Sequence, residues 1–106
     1  MVVVYYDLET TGLNTQERQR GVQIVSIGAV TEHRATFHRY IIPTCEISER
    51  ATDVHGIYKQ NGLLFKDGIL KQNALDPQSG LWTFMDWLSS QDAECLVKIK
   101  YSVKKA

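Results

Sequence analysis

The order of hydrophobic patterns along the chain predicts an α/β fold on a single mixed sheet, and three observations carry that prediction. A β-branched and aromatic run opens the chain, two more strand-like runs follow closely, and an amphipathic helical stretch precedes a last alternating run. At 106 residues the chain suits one small domain, large enough to bury a core without staples.

Each element has a local reason. VVVYY, Val2 to Tyr6, is continuous in strand formers and reads as a strand buried on both faces. Thr10 to Gly21 is polar and turn-rich, so it reads as a loop. VQIVSIGAV, Val22 to Val30, is a second strand, in which Gly28 marks a bulge or a close approach. Glu32 to Arg34 makes a hairpin into a third strand, Thr36 to Ile42. In that strand Phe37, Arg39 and Ile41 share one face, and His38, Tyr40 and Ile42 share the other. Pro43 ends it, because proline has no N–H for a ladder. Ser48 to His55 reads as a short helix capped by Ser48 and closed by Gly56 in a left-handed conformation. Residues 57–78 are mixed, with Gly62, Gly68 and Pro77. Ser79 to Ser89 places Leu81, Phe84, Met85 and Leu88 at helical spacing, as an amphipathic helix on a core would. Ala93 to Val103 alternates and reads as the last strand. The first three strands form an antiparallel meander, and the last pairs parallel to the first after the helical crossover.

The hydrophobic content of 43% argues for a globular chain and against disorder. A formal net charge of zero means that charge alone predicts no nucleic-acid partner. Its distribution is uneven: Lys98, Lys100, Lys104 and Lys105 crowd the C-terminus, while Asp7, Glu9 and Glu17 lie near the start. The basic end reads as a solvated tail, with phosphate binding as the alternative. Cys45 and Cys95 are far apart, lack metal-ligand spacing and read as free thiols of a reducing compartment. No window approaches a membrane span or a signal peptide, so the expectation is an intracellular protein of nucleus or cytoplasm without a membrane partner.

The chemistry-bearing feature is Asp7-Leu8-Glu9. Positions i and i+2 of a strand share a side, so the two carboxylates project together while Leu8 turns away. Paired carboxylates repel, and a divalent cation relieves the repulsion. Hard oxygen donors suit Mg2+ or Mn2+, which can activate water and neutralise a phosphodiester. The plainer account is an acidic pair in water at a strand end, followed by the turn Thr10-Thr11-Gly12. Spacing alone does not choose between them.

The wider pattern does. YYDLETTGLN, then QIVSIGAV, YIIPTCEIS and ATDVHGI, in this order and spacing, resembles the DEDD (DnaQ-like) family of 3′–5′ exonucleases over roughly residues 2–97. That resemblance implies a ribonuclease H-like fold and two-metal hydrolysis of a nucleic-acid 3′ end, of DNA or RNA. By motif match, Asp7 would bridge both metals, and Glu9 would bind the one that holds the nucleophilic water. Leu8, Thr10, Thr11 and Leu13 would line the pocket for the terminal nucleotide. His55, in Val-His-Gly-Ile, would either lie near the substrate groove or serve as a buried hydrogen-bonding histidine at a helix end. His33 and His38 are expected to be structural or exposed.

The resemblance stops after Val97. The family pattern continues Leu-Val-Ala-His-Asn-x-x-Phe-Asp, whereas this chain reads Leu96-Val97-Lys98-Ile99-Lys100. The chain therefore divides into residues 1–97, the N-terminal part of an exonuclease domain, and a divergent basic tail, 98–106. The second and third acidic motifs and the general-base histidine have no matching residues. Asp86, Asp92 and Glu94 are not expected to replace them: the first faces solvent, and the others sit at the wrong end of the last strand. The expectation is an incomplete ribonuclease H-like sheet with impaired hydrolysis and exposed core surface through which copies would self-associate. A non-catalytic nucleic-acid-binding or protein-interaction module on the same scaffold is the alternative.

Overall fold

A computed structural model describes residues 2–12 and 21–99. Strand β1 (Val2–Thr10) pairs antiparallel with β2 (Ile24–Thr31), which pairs antiparallel with β3 (Thr36–Tyr40). Helix α1 (Glu49–His55) follows, then three short strands, β4 (Ile57–Gln60), β5 (Leu63–Lys66) and β6 (Ile69–Leu70). Helix α2 (Pro77–Ser90) crosses over to β7 (Ala93–Lys98), which lies parallel to β1. The main sheet has the order β3-β2-β1-β7, and β4-β5-β6 form a second, smaller sheet. This is the expected mixed sheet: an antiparallel meander plus a parallel strand after a helical crossover.

The local signals act as read. Ser48 Oγ accepts from Ala51 N at 3.1 Å, and Gly56 closes α1 at φ 76° with its N–H donating to Thr52 O at 2.7 Å. Two cores result. Val4, Ile27, Ala29, Phe37 and Ile41 form the first, covered by Phe84, Trp87 and Leu88 of α2. Val25, Ile57 and Leu64 form the second, which joins the small sheet to the end of β2 and β3. Glu9 pairs with Ser26 and Thr10 with Ile24, so Val25 is the extra residue of a bulge. That bulge lets Val25 reach the second core while Ile24 and Ile27 both serve the first.

Several expectations need correction. Asp7 and Glu9 lie within β1, not beyond it, because the ladder with β2 continues to Thr10. The strand is not buried on both faces: Val4 is buried but Tyr5 is exposed. Gly28 marks no bulge; the irregularity is at Glu9/Thr10. The inward stripe of α2 is buried Gly80 with half-buried Phe84, Trp87 and Leu88, and Leu81 and Met85 are exposed. Gly80 sets that rotation, since its missing side chain lets the helix settle on Ile41. Asp76 caps α2 through Ser79 N at 3.1 Å, so the helix starts at Pro77 rather than Ser79. The mixed segment holds three strands, turned by Asn61-Gly62 and Asp67-Gly68, all at positive φ. β7 ends at Lys98 and exposes Leu96 and Val97; the rest of the predicted run to Val103, from Lys100 on, lies outside the described residues, as do Leu13 and Glu17. Among the described residues no helix is long and apolar enough to cross a membrane.

Candidate active site

Strand register builds the site. Asp7 pairs with Gly28, and Gly28 with His38; two residues along, Glu9 pairs with Ser26, and Ser26 with Tyr40. Alternation puts these two cross-strand rows on one face of the sheet, opposite α2. Together with Ile57 and Lys66 of the small sheet they line a cavity of about 200 Å³. Gly28 is its floor: a Cβ there would meet His38 Cδ2 at 3.6 Å. Asp7 and Glu9 thus share one side of one cavity, as their spacing predicts.

The side of the cavity made by β2 and β3 is polar. His38 Nε2 and Ser26 Oγ are hydrogen-bonded at 3.1 Å, and the imidazole meets the Tyr40 ring edge-on at 4.6 Å. His38 is exposed, as one of its expected readings had it, yet partial burial of its ring lowers its pKa below the ordinary 6.5, and the charges of Lys71, Arg39 and Lys66 lower it further. At neutral pH His38 is therefore an uncharged ring able to accept a proton. Burial raises the Tyr40 phenol, with the Asp67 carboxylate adding to the shift, so it stays protonated. Lys71 Nζ lies 5.0 Å from the Tyr40 ring centroid.

The other residues of the motif fall elsewhere. Leu8 packs into the first core on the α2 side. Thr11 is buried; its Oγ1 accepts from Gln23 N at 3.0 Å and from Cys45 Sγ at 3.6 Å, and its carbonyl accepts from Ser48 N at 2.9 Å. It lines a separate cavity of about 290 Å³ with Gly12, Cys45 and Ser48. Thr10 Oγ1 donates to Gly12 O at 2.8 Å, which tightens the turn. Leu13 lies outside the described residues. His55 is 2% exposed; Nδ1 accepts from Ile57 N at 3.0 Å and Nε2 donates to Thr10 O at 2.9 Å. Of the two readings of His55, this geometry is the buried one. Its ring straps the end of α1 to the end of β1 and so holds Glu9 in place at one remove.

His38, Ser26, Tyr40 and Lys66 were missed from sequence as site residues. The signal for the first three was the hairpin between β2 and β3, which fixes their register. For Lys66 it was the alternation in LLFK, which places it on the inward side with fully buried Leu64. Asp86 is exposed on α2, and Asp92 precedes Ala93, which pairs with Val2 at the far end of β1 from Asp7. Neither approaches the cavity.

Two carboxylates on one strand face suit a hard cation that completes its shell with water and phosphate oxygens. Among the described residues no group of three or more His, Cys, Asp or Glu that could hold a metal is found; the cavity brings together two carboxylates, Asp7 and Glu9. Comparison with known proteins bears on this arrangement. A family model described as an exonuclease, RNase T, matches residues 4–62, more than half of the chain. The chain belongs to this exonuclease family. The matched span contains both cavity rows, α1 and the strap made by His55. A solved structure described as the nuclease domain of 3′hExo, a DEDDh family member, bound to rAMP, is similar in fold, with TM-score 0.65 and 17% identity. The match covers 92% of this chain and 50% of that one, so the exonuclease-family chain spans half the length of its structural relative. The ribonuclease H-like fold is present, in part. No curated protein sequence matches the chain.

Proposed function

We propose that this chain is the metal-seat half of a 3′–5′ exonuclease domain, with Asp7 and Glu9 holding Mg2+ or Mn2+ against the 3′-terminal nucleotide of DNA or RNA. The single observation that carries this is the pair of rows Asp7–Gly28–His38 and Glu9–Ser26–Tyr40 around one cavity. When bound, the cation would polarise a phosphodiester and lower the pKa of a water. The chain's own residues do the rest. β1 aims both carboxylates to one side, Gly28 leaves the floor open, and His55 and Thr11 fix the turn that follows. Free thiols at Cys45 and Cys95 support an intracellular setting.

Hydrolysis by these residues alone is expected to be weak. A second metal needs further carboxylates, and in-line displacement depends on both metals being placed. The second reading is a binding module without turnover, in which Asp7 and Glu9, the two carboxylates lining the cavity, hold a cation and nucleotide without cleaving it. One experiment separates the two. A 3′-labelled single strand is incubated with Mn2+ and either the parent chain or Asp7→Ala. Shortening by the parent and not the variant supports hydrolysis. Retention without shortening, weakened at least tenfold by Asp7→Ala, supports metal-dependent binding. Equal behaviour of parent and variant would remove Asp7 from the function.

A further inference from the structure

We infer that Lys66 is the phosphate-positioning residue of this cavity, supplying from the small sheet a fixed cation opposite the carboxylate pair. The inference rests on the metal-seat reading above and names what faces it. β5 alternates, so Lys66 shares its side with Leu64, which is fully buried in the second core. A lysine on the inward side of a strand needs a reason, because its ammonium must find polar company or water. Here the side chain remains one-third exposed and lines the same cavity as Asp7, Glu9, His38 and Tyr40.

Its neighbours position it without neutralising it. Nζ donates to the His55 carbonyl at the C-terminal end of α1, where a cation is favoured by the helix dipole. Asp67 Oδ2 stands 3.7 Å away, on a side chain that is two-thirds exposed and screened by water. An ammonium has three donors, and among the described residues one is given to His55 O. Lys66 lines both the carboxylate cavity and a neighbouring one shared with His55 and Asp67. The helix bond thus orients Lys66 as a preset point charge, as the phosphate-binding lysines of other sites are oriented.

The cavity is therefore bipolar. Its β1 wall carries two carboxylates, and its small-sheet wall carries Lys66. A bare anion would be repelled by the first wall, and a bare cation by the second. A nucleoside monophosphate with a divalent cation satisfies both: the cation lies against Asp7 and Glu9, and a non-bridging phosphate oxygen accepts from Lys66. His38 and Ser26, already bonded to each other, line the same cavity.

The test uses the whole chain and two probes, Mn2+ alone by electron paramagnetic resonance and adenosine 5′-monophosphate in the presence of Mn2+ by calorimetry. Lys66→Gln should move them in opposite directions. Loss of the ammonium weakens the nucleotide about tenfold, since a charge-assisted bond is lost. It tightens Mn2+ alone by about twofold, since a nearby like charge is removed. Lys66→Arg should keep both constants near those of the parent. A lysine that only caps α1 would behave otherwise: nucleotide affinity unchanged, or both probes weakened together as the fold loosens, overturns the inference. Asp7→Ala separates the underlying reading. If it binds Mn2+ as the parent does, or the parent binds none, the metal seat is wrong and Lys66 falls with it. If Asp7→Ala loses Mn2+ while Lys66→Gln binds nucleotide normally, the seat stands and only Lys66 is misassigned.

Discussion

The sheet face under α2 and the face that carries Asp7 are made by alternate residues of the same three strands. On the first, Val4, Ile27, Phe37 and Ile41 are buried, and Phe37 meets Phe84 at 5.2 Å and Trp87 at 5.4 Å between ring centroids. On the second, Asp7, Glu9, Ser26, His38 and Tyr40 surround an open cavity. Neighbours in sequence, such as Phe37 and His38, thus do different work. A period of two lets a strand carry stability on one side and chemistry on the other, at the same backbone positions.

The sharpest way to break that division is to truncate one residue on each face. Phe37→Ala removes a ring buried between two others and should cost about 3–5 kcal/mol, much of what a small domain has. Asp7→Ala should cost about 1 kcal/mol or less, yet abolish the Mn2+-dependent behaviour described above. Urea unfolding of the two variants beside the parent measures the contrast. If Asp7→Ala unfolds the chain as readily as Phe37→Ala does, the two faces are not separable.

How much of this was legible from residues alone follows the same division. Ser48 and Gly56 bounded α1 correctly because capping is local, and the β1 alternation placed Asp7 and Glu9 together because period two is local as well. The stripe of α2 was misjudged, since Leu81 and Met85 have the right spacing and hydrophobicity. What turned the helix was Gly80 against Ile41, a contact between elements far apart in the chain. The far wall of the cavity was missed for a related reason. His38 reaches Asp7 only through the register of two strand pairs, and Lys66 only through a second sheet whose turns are Asn61-Gly62 and Asp67-Gly68. Those dipeptides are strong hairpin signals, so that sheet was readable in principle. Its docking on the second core was not.

Gly80 gives a smaller effect that sharpens the account of the closed face. A Cβ there would lie 2.6 Å from Ile41 Cδ1 and 2.7 Å from Cγ1, closer than packed atoms come. Gly80→Ala gains about 1 kcal/mol of helix propensity and meets an overpacking cost of about 1–3 kcal/mol. The net expectation is a loss of about 1 kcal/mol, and Gly80→Ala with Ile41→Val should recover part of it. Thermal unfolding of the single and double variants checks the coupling. An increase in stability for the single variant would mean that the helix sits further from the sheet than the glycine suggests.

The smallest effect belongs to the open face and concerns protons. Burial holds the His38 pKa below its ordinary 6.5, and Lys71, Arg39 and Lys66 press it the same way. Below about pH 6.5 the unfolded chain binds a proton that the folded chain refuses, so the folded state loses stability as pH falls. The loss begins near the unfolded value and continues down to the lowered folded value; below that, both states are protonated and His38 contributes no further slope. Above about pH 7.5 the ring is neutral in both states and its contribution is complete. His38→Gln keeps a polar group opposite Ser26 but cannot titrate, so its stability should follow a flatter line across the acidic window. Urea midpoints of parent and variant at matched pH give the difference directly, which isolates His38 from every other titrating group. Lys66→Gln should narrow the same window from below, because one of the charges that depress the ring is gone. A parent and a His38→Gln variant with parallel curves would mean that water screens the ring fully, and the cavity would then be no more than a shallow surface beside the acidic pair.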